Sequence, residues 1–414
     1  MSKNASLESD LSRRRRGWVL RVDSPVHRRK KDLLRVRRKT PKVSRYQALQ
    51  KRMERDLFNG KWRWVDTTNV ESASPVSSLS VIDLFSGCGG LSLGFEAAGF
   101  RSLMAVELDP DAAKTYRRNF PGARVWDDDI RKLKDGEFLR ILDGRPLHVL
   151  AAGFPCQGFS VAGKRDPSDE RNVLFYEVVR VARVLQPRFV VMENVPGILT
   201  MSHGRVIQRI RDEFREAGYP DLSVLVLESA AYGVPQFRPR AILIANRLGL
   251  PNPFPRPILD ESKYFPIERA IDDLKHTPRD PEINHDWTYH SPQMEERISA
   301  VPPGGSLYES FFDAWKRQYR GVPSMTIKEN HGGTHIHYEL NRTLSAREMA
   351  RLQSFPDSFF FEGRMKRVMF QVGNAVPPLL GYHVANAVRQ GLESKPLQGD
   401  ASVPPDGSYN GSGD

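Results

Sequence analysis

Between Val81 and Asn246 short apolar runs alternate with longer stretches of helical spacing. The runs are VIDLF, LMAVEL, HVLAAG, FVVMEN, SVLVLES and AILIAN, and their unbroken apolar character predicts strands buried on both faces of a sheet. PDAAKTYRRNF, NVLFYEVVRVARVLQ and GRVIQRIRDEFREAGY lie between them. In the last, Val206, Ile207, Ile210 and Phe214 share one helical face, and Gly218 stands near its end. Strand and helix in alternation imply an α/β fold with a parallel, doubly wound sheet.

After Asn246 the alternation stops, and LGLPNPFPRPILDESKYFPIE is rich in proline. Residues 247–342, which hold six of the ten histidines, are expected to form a second, smaller, irregular domain. Helical order returns with SAREMARLQ, where Ser345 and Glu348 form a capping box, and with LLGYHVANAVRQGLE. Ahead of Val81, ESASPVSSLS reads as a linker and RYQALQKRMERDLFNGKWRWV as one amphipathic helix. The expected organisation is therefore an extension and linker over residues 1–75, the first part of the α/β domain over 76–246, and the irregular domain over 247–342. A return segment over 343–393 is expected to complete the α/β domain, and the tail 394–414, dominated by Gly, Pro, Ser and Asp, to be disordered. A chain of 414 residues exceeds the roughly 250 to 300 at which one core stops growing, in keeping with this division.

Charge separates the extension from the body. The chain carries a net +12, but residues 1–60 alone hold 19 basic and 6 acidic groups, so the remaining 354 residues sit at −1. A near-neutral body with a cationic arm points to an anionic polymer as partner. No apolar run approaches the roughly 18 residues of a spanning helix. The start, MSKNASLESDLSRRRR, lacks the apolar stretch of a secretory signal, so an intracellular protein with no membrane partner is expected. The two cysteines, Cys88 and Cys156, are too few for a disulfide framework or a metal knuckle, and if either matters it is as a thiol.

Two segments carry candidate chemistry. VIDLFSGCGGLSLGFEAAGF reads as strand, glycine turn and helix, a geometry that lets backbone approach a ligand at a helix N-terminus. Twenty residues beyond Gly87, Glu107 ends the next strand, where a carboxylate can bond ribose hydroxyls. The turn is not a full dinucleotide fingerprint and lacks Gly-Lys-Ser/Thr, which disfavours NAD and ATP but suits a nucleoside cofactor. Further on, HVLAAG delivers Gly153-Phe154-Pro155-Cys156-Gln157, FVVMEN ends in Glu193-Asn194-Val195, and a later turn carries Gln236-Phe237-Arg238-Pro239-Arg240. A thiol, a carboxyl and guanidinium groups at the edges of one sheet could converge: nearby cations favour a thiolate, and a proton-donating carboxyl needs a raised pKa. Alone, Cys156 reads rather as a small buried hydrophobe and Glu193 as a surface ion pair; the ordered set of segments reverses that reading.

In order, DLFSGCGG, GFPCQGFS, ENV, QFRPR, RTLSAREMARLQSFPD and QVGNAVPP resemble the motifs of DNA (cytosine-5) methyltransferases of bacterial restriction-modification systems, over residues 81 to 390. The resemblance implies a Rossmann-like catalytic domain that binds S-adenosylmethionine, plus a smaller target-recognition domain between QFRPR and RTLSARE. It matches Phe85, Gly87 and Gly89 to the cofactor turn and Glu107 to the ribose-binding acid. Asp129 matches the residue facing the adenine amino group, with Leu174 and Asn374 also at the cofactor. It matches Cys156 to the nucleophile, Glu193 to the cytosine-binding acid, and Arg238 and Arg240 to the arginines of the catalytic pocket. Residues 157–172 match a mobile catalytic loop. His148 and Ala231 stand where the family often has aspartate.

The implied partner is double-stranded DNA, from which the base is flipped. A cognate restriction endonuclease is a functional rather than physical counterpart, and a monomer in the cytoplasm, associated with the nucleoid, is expected. A tRNA cytosine-5 methyltransferase of the same fold is the alternative within the chemistry, and a catalytically inactive DNA-binding regulator the alternative outside it. Roughly 95 residues of recognition domain favour DNA. His331, His335 and His337 invite a metal reading, but with no cysteine nearby polar loop contacts are the better one, and no metal is expected.

Overall fold

The central sheet is set by where the apolar runs fall. A computed structural model describes residues 62–65 (backbone only), 79–155, 173–308, 315–328 and 335–394, all within one unit, Gln50–Asp414. Its strands are β1 (Trp62–Val65), β2 (Ser80–Leu84), β3 (Arg101–Val106), β4 (Arg124–Trp126), β5 (Val149–Ala152), β6 (Phe189–Asn194), β7 (Asp221–Glu228), β8 (Pro239–Asn246) and β9 (Asn252–Pro255). Seven of them form one sheet in the order β4-β3-β2-β5-β6-β8-β7. The chain runs outward from β2 to β3 and β4, then returns to β5 on the other side of β2. Side-by-side strands whose connections leave in opposite directions open a crevice at their carboxyl ends, the place where such sheets bind ligands.

The expectation of an all-parallel sheet is corrected by β8, which runs antiparallel to both β6 and β7. Only residues 229–238 connect β7 to β8, and they hold a single 3-10 turn, Ser229–Tyr232. That is short of the dozen or so residues a parallel crossover requires. The reversal has a consequence for the site. In the observed register Asn194 lies opposite Ala241, so the first residues of β8 sit beside the last residues of β6. A parallel β8 would start at the far edge and carry Arg240 away from Glu193.

The helices are α1 (Gly90–Ala97), α2 (Pro110–Asn119), α3 (Asp135–Leu142), α4 (Val173–Leu185), α5 (Arg205–Glu216), α6 (Glu268–Ile271), α7 (Pro292–Ser299), α8 (Ala346–Leu352), α9 (Met365–Asn374) and α10 (Pro378–Glu393). Helix α5 buries Val206, Ile207, Ile210 and Phe214, the face its spacing predicts. The capping box of α8 is present, with Glu348 N–H donating to Ser345 Oγ at 3.0 Å and Ser345 N–H to Glu348 Oε2 at 2.7 Å. The last helix returns to the start of the sheet domain, since α10 packs on α1 so tightly that a Cβ at Gly94 would lie 2.4 Å from the Gly381 carbonyl carbon. Helices α8 and α9, with Phe355, Phe359 and Phe361, build a second core against Tyr116 and Phe120.

The span 247–342 is irregular, as its proline content predicts. Buried arginines satisfy backbone carbonyls there that no ladder reaches: Arg317 donates to the carbonyls of Ile298, Val301, His337 and Leu340 and to Asn341 Oδ1. Over it lies a small satellite core of Ile298, Val301 and Ile336. One local reading is corrected. Trp62–Val65, expected as a helix end, is a strand paired in parallel with Asn252–Pro255 in the proline-rich segment. Alternate prolines at 253 and 255 remove two ladder donors, which leaves β9 in a two-stranded ribbon. The rest of that expected helix, the basic arm and the tail lie outside the described residues. Among the described residues no helix is long and apolar enough to cross a membrane.

Candidate active site

The turn after β2 bends sharply: Phe85, Gly87 and Gly89 all have positive φ, at 57°, 55° and 99°. For phenylalanine this conformation is strained, and it is held because Ser86 N–H donates to the Val106 carbonyl across the sheet at 3.1 Å. Glu107, just past β3, clamps the same turn. Its Oε2 accepts Gly87 N–H and its Oε1 accepts Asp109 N–H, each at 2.7 Å. Burial pushes its pKa up against these two bonds. Below lies Asp83, raised to about 7 by burial, with Ser92 Oγ donating to it at 2.6 Å and Tyr116 OH to that oxygen at 2.7 Å.

Of these residues, Asp83, Phe85, Ser86, Gly87 and Glu107 line a cleft of about 760 Å³ at the carboxyl edge of the sheet. Phe85, Gly87, Glu107, Asp129, Leu174, Glu193, Arg238, Arg240 and Asn374 all line it, so nine of the eleven sequence candidates are brought together. Gly89 is not among the lining residues. A Cβ there would fall 2.4 Å from the Phe120 ring, so this glycine permits close packing behind the turn. Cys156 and the loop that follows it lie outside the described residues, while the three residues before it, Gly153, Phe154 and Pro155, line the cleft.

At the catalytic end Arg240 Nε meets Glu193 Oε1 at 2.7 Å, with both side chains nearly buried. The pair is the product of the antiparallel register of β6 and β8. Asn194 Nδ2 donates to the Phe154 carbonyl at 3.0 Å and ties the end of β6 to the segment leading to residue 156. A Cβ at Gly153 would lie 4.0 Å from Glu193 Oε2, so glycine there leaves the carboxylate room. Arg238 is fully buried and gives its guanidinium to the carbonyls of Ile327, Gly373 and Ala375 at 2.6, 2.8 and 2.9 Å. Burial, and then the charge of Arg240, push its pKa down. At the other end, Asp129 accepts Arg131 N–H at 2.9 Å and pairs with that guanidinium, which holds its carboxyl below the usual range.

The family model described as C-5 cytosine-specific DNA methylase matches residues 79–390. The chain belongs to that family. Like the other C-5 cytosine methylases, it takes its methyl group from S-adenosylmethionine and gives it to cytosine in DNA. It is 41% identical over 329 residues to the Type II methyltransferase M1.HphI of Haemophilus parahaemolyticus, covering 75% of this chain and 87% of that one. It is 32% identical over 346 residues to M.NgoPII of Neisseria gonorrhoeae, covering 78% of this chain and all of the relative. Among solved structures, a candidate DNA modification methyltransferase encoded within an Escherichia coli prophage superposes with a TM-score of 0.64 at 26% identity, covering 76% of this chain and 100% of that one. The S. pombe Dnmt2 methyltransferase, at 20% identity and TM-score 0.54 over 76% of this chain and 99% of that one, shares the fold.

The cleft of this methylase fits S-adenosylmethionine. Among the described residues, its chain neighbours aside, nothing lies within 4 Å of a Cβ placed on Gly87, so the turn is open there to a ligand. Glu107 beside it offers acceptor lone pairs suited to a ribose diol, and Leu108 and Ile130 give apolar walls for a purine. Leu108 escaped the sequence reading. It is 66% exposed in the cleft, and its signal is an apolar residue left unpaired between the acid and the Asp109 cap of α2. Thr326, Ile327 and Lys328, which reach the cleft from the irregular span, had no periodic signal.

The departures from the family pattern are accommodated. His148 Nδ1 accepts from Ser80 N–H at 3.2 Å and lies 3.0 Å from its hydroxyl, so a neutral imidazole serves as the acceptor. Burial, then the charge of Arg188, lower its pKa to about 4. Ala231 is buried, and its carbonyl accepts the N–H groups of Ile258 and Leu259. Of the three histidines weighed as metal ligands, His331 lies outside the described residues. His337 Nδ1 accepts two backbone N–H groups, those of Glu339 and Leu340, at 3.0 Å each, and is thus spent on its own loop.

Proposed function

We propose that this methylase acts on a cytosine flipped out of a specific duplex sequence, with Cys156 as nucleophile, Glu193 and Arg240 as the groups that grip the base, and residues 247–342 as the target-recognition domain. The observation that carries the reading is the Glu193–Arg240 pair, 2.7 Å apart, at the mouth to which β5 delivers Pro155. Cytosine C5 is a poor carbon nucleophile. Addition of the Cys156 thiolate at C6 moves an electron pair toward N3, where Glu193 supplies a proton or a hydrogen bond and leaves C5 enamine-like. Arg240 fixes Glu193 Oε1 and steadies charge that develops at the cytosine O2. Bound S-adenosylmethionine supplies an electrophilic sulfonium methyl. Once C5 carries the methyl, loss of its proton and departure of the Cys156 sulfur restore the aromatic ring. The base must leave the stack, at a cost of a few kcal/mol, because C6 is inaccessible inside a duplex.

Type II relatives at 31–41% identity support a role in restriction-modification, with a cognate endonuclease as functional counterpart. We assign the chain as a cytoplasmic monomer. Bisulfite sequencing of plasmid DNA from an expressing host tests the reading. One protected cytosine within one sequence is expected. Unmethylated plasmid with methylated tRNA would point to the RNA branch, and no methylation of either to an inactive DNA-binding regulator.

A further inference from the structure

Three chain segments that the methylase must keep in register meet behind the base pocket. The first is Gln236 to Arg238, beside the catalytic pair. The second is the stretch around Ile327, which arrives from the irregular span 247–342. The third is Val372 to Ala375, which carries the cofactor-side Asn374. Among the described residues only a single parallel bridge, Gln236 with Ser324, pairs the first two as strands, yet all three are laced tightly. Phe237 N–H donates to the Ser324 carbonyl and Ser324 N–H to the Pro235 carbonyl, both at 2.9 Å, and Thr326 Oγ1 donates to the Phe237 carbonyl at 2.7 Å. Gln236 Oε1 accepts Ile327 N–H at 2.9 Å, while its Nε2 reaches Gln353 Oε1 at 2.9 Å. Gln353 Nε2 then donates to the Val372 carbonyl at 2.8 Å.

Arg238 spans all three. Its Nη1 donates to Ile327 and its Nη2 to both Gly373 and Ala375, the residues on either side of Asn374. Among the described residues Arg317 also staples loops, but Arg317 places every guanidinium nitrogen on an acceptor and lies away from the cleft. Arg238 lines the cleft, and its Nε is buried with no hydrogen-bond partner among the described residues. A guanidinium is planar and rigid, so a shift of Ile327 that carries Nη1 also turns Nη2. The carbonyls flanking Asn374 feel any movement of the segment that enters from the recognition side.

Resting on the function proposed above, we infer that Arg238 is a positioning residue that couples cofactor binding to DNA binding, rather than a group that touches the reacting base. Such coupling is reciprocal: each ligand strengthens the other by one factor, typically about 5- to 150-fold.

The test measures that factor with S-adenosylhomocysteine as cofactor probe and a duplex carrying the sequence mapped by bisulfite. Duplex affinity is titrated with and without the probe, and probe affinity with and without the duplex, for wild type, Arg238→Lys and Thr326→Val. Lysine keeps the charge but cannot span Ile327 and the Gly373–Ala375 pair together. Thr326→Val removes one bond of the lacing in a near-isostere that should fold if the lysine variant does not. The expected result is a coupling factor that drops to within about twofold of unity in Arg238→Lys and falls part-way in Thr326→Val, with the affinity for the probe alone changing much less. A wild-type factor in both variants overturns the inference. So does an Arg238→Lys protein that loses kcat with coupling and KM intact, which would make Arg238 catalytic. Wild-type protein that transfers no methyl to plasmid DNA would instead overturn the function on which the inference rests.

Discussion

Replacing Glu107 by glutamine separates its two duties. As a carboxylate it accepts Gly87 N–H on one oxygen and Asp109 N–H on the other, both at 2.7 Å. The amide keeps the shape but has one acceptor oxygen, so its NH2 group must face one of those two backbone donors. One charge-assisted bond is lost, worth about 1.5 to 3 kcal/mol, and a buried N–H is left unpaired. The glycine turn is the feature most exposed to this loss, since it already holds Phe85 at φ 57°. If the turn forms the cofactor site, a loss of this size appears as roughly 10- to 150-fold weaker binding of S-adenosylhomocysteine. Isothermal titration with the purified full chain reads it directly. Glu107→Ala should weaken binding at least as much. The raised pKa of Glu107 adds a pH signature: protonation turns one of its two acceptor oxygens into an O–H donor, so wild-type cofactor affinity should fall on acidification above the ordinary glutamate range, and the glutamine variant should lack that fall. Cofactor affinity within twofold of wild type in Glu107→Gln, with a loss confined to kcat, would refute the clamp.

Glu193→Gln should lower kcat by roughly 10²- to 10⁴-fold in a methyl-transfer assay while cofactor affinity stays level, because general acid help is removed and the cofactor end is untouched; collapse of cofactor binding would contradict the assignment. His148 is held neutral with a pKa near 4, below its ordinary 6.5, so its contribution to stability is full above pH 6.5 and is lost as pH falls toward 4. Unfolding free energies from urea titrations at pH 7 and pH 5 should therefore drop more for wild type than for His148→Gln, by up to about 2 kcal/mol, and equal drops would count against the buried neutral imidazole. Gly94→Ala places a methyl 2.4 Å from the Gly381 carbonyl carbon and should destabilise by about 1 to 3 kcal/mol in the same experiment, an unchanged midpoint showing that α1 and α10 can separate freely.

Six of the seven strands of the sheet and the longer helices between them were legible because buried runs and helical spacing are local signals, and the capping box of α8 was legible for the same reason; the three-residue β4 and the short α3 were not read. The direction of β8 was not, since a run such as AILIAN reads alike in both senses; the ten residues after β7 held the clue. Trp62–Val65 was misread because four residues with two tryptophans carry no period, and its partner β9 was hidden behind prolines that argue against a strand. The site was legible where side-chain chemistry marked it, at Glu107 and at the Glu193 and Arg240 pair. It was illegible where geometry decides. Gly89 looks like its neighbours in the turn but packs against Phe120, and Arg238 looks like Arg240 but gives its guanidinium to backbone carbonyls.

Everything proposed about the chemistry passes through one covalent bond. Duplex carrying 5-fluorocytosine at the mapped position, mixed with S-adenosylmethionine and the full chain, should trap it, because fluorine blocks the elimination that frees the sulfur. Intact mass spectrometry of wild type should show protein plus strand plus one methyl, peptide mapping should place the attachment on Cys156, and Cys156→Ala should bind the duplex without forming the adduct. A wild-type protein that methylates ordinary duplex but leaves no adduct, or an adduct that persists in Cys156→Ala, would contradict the mechanism.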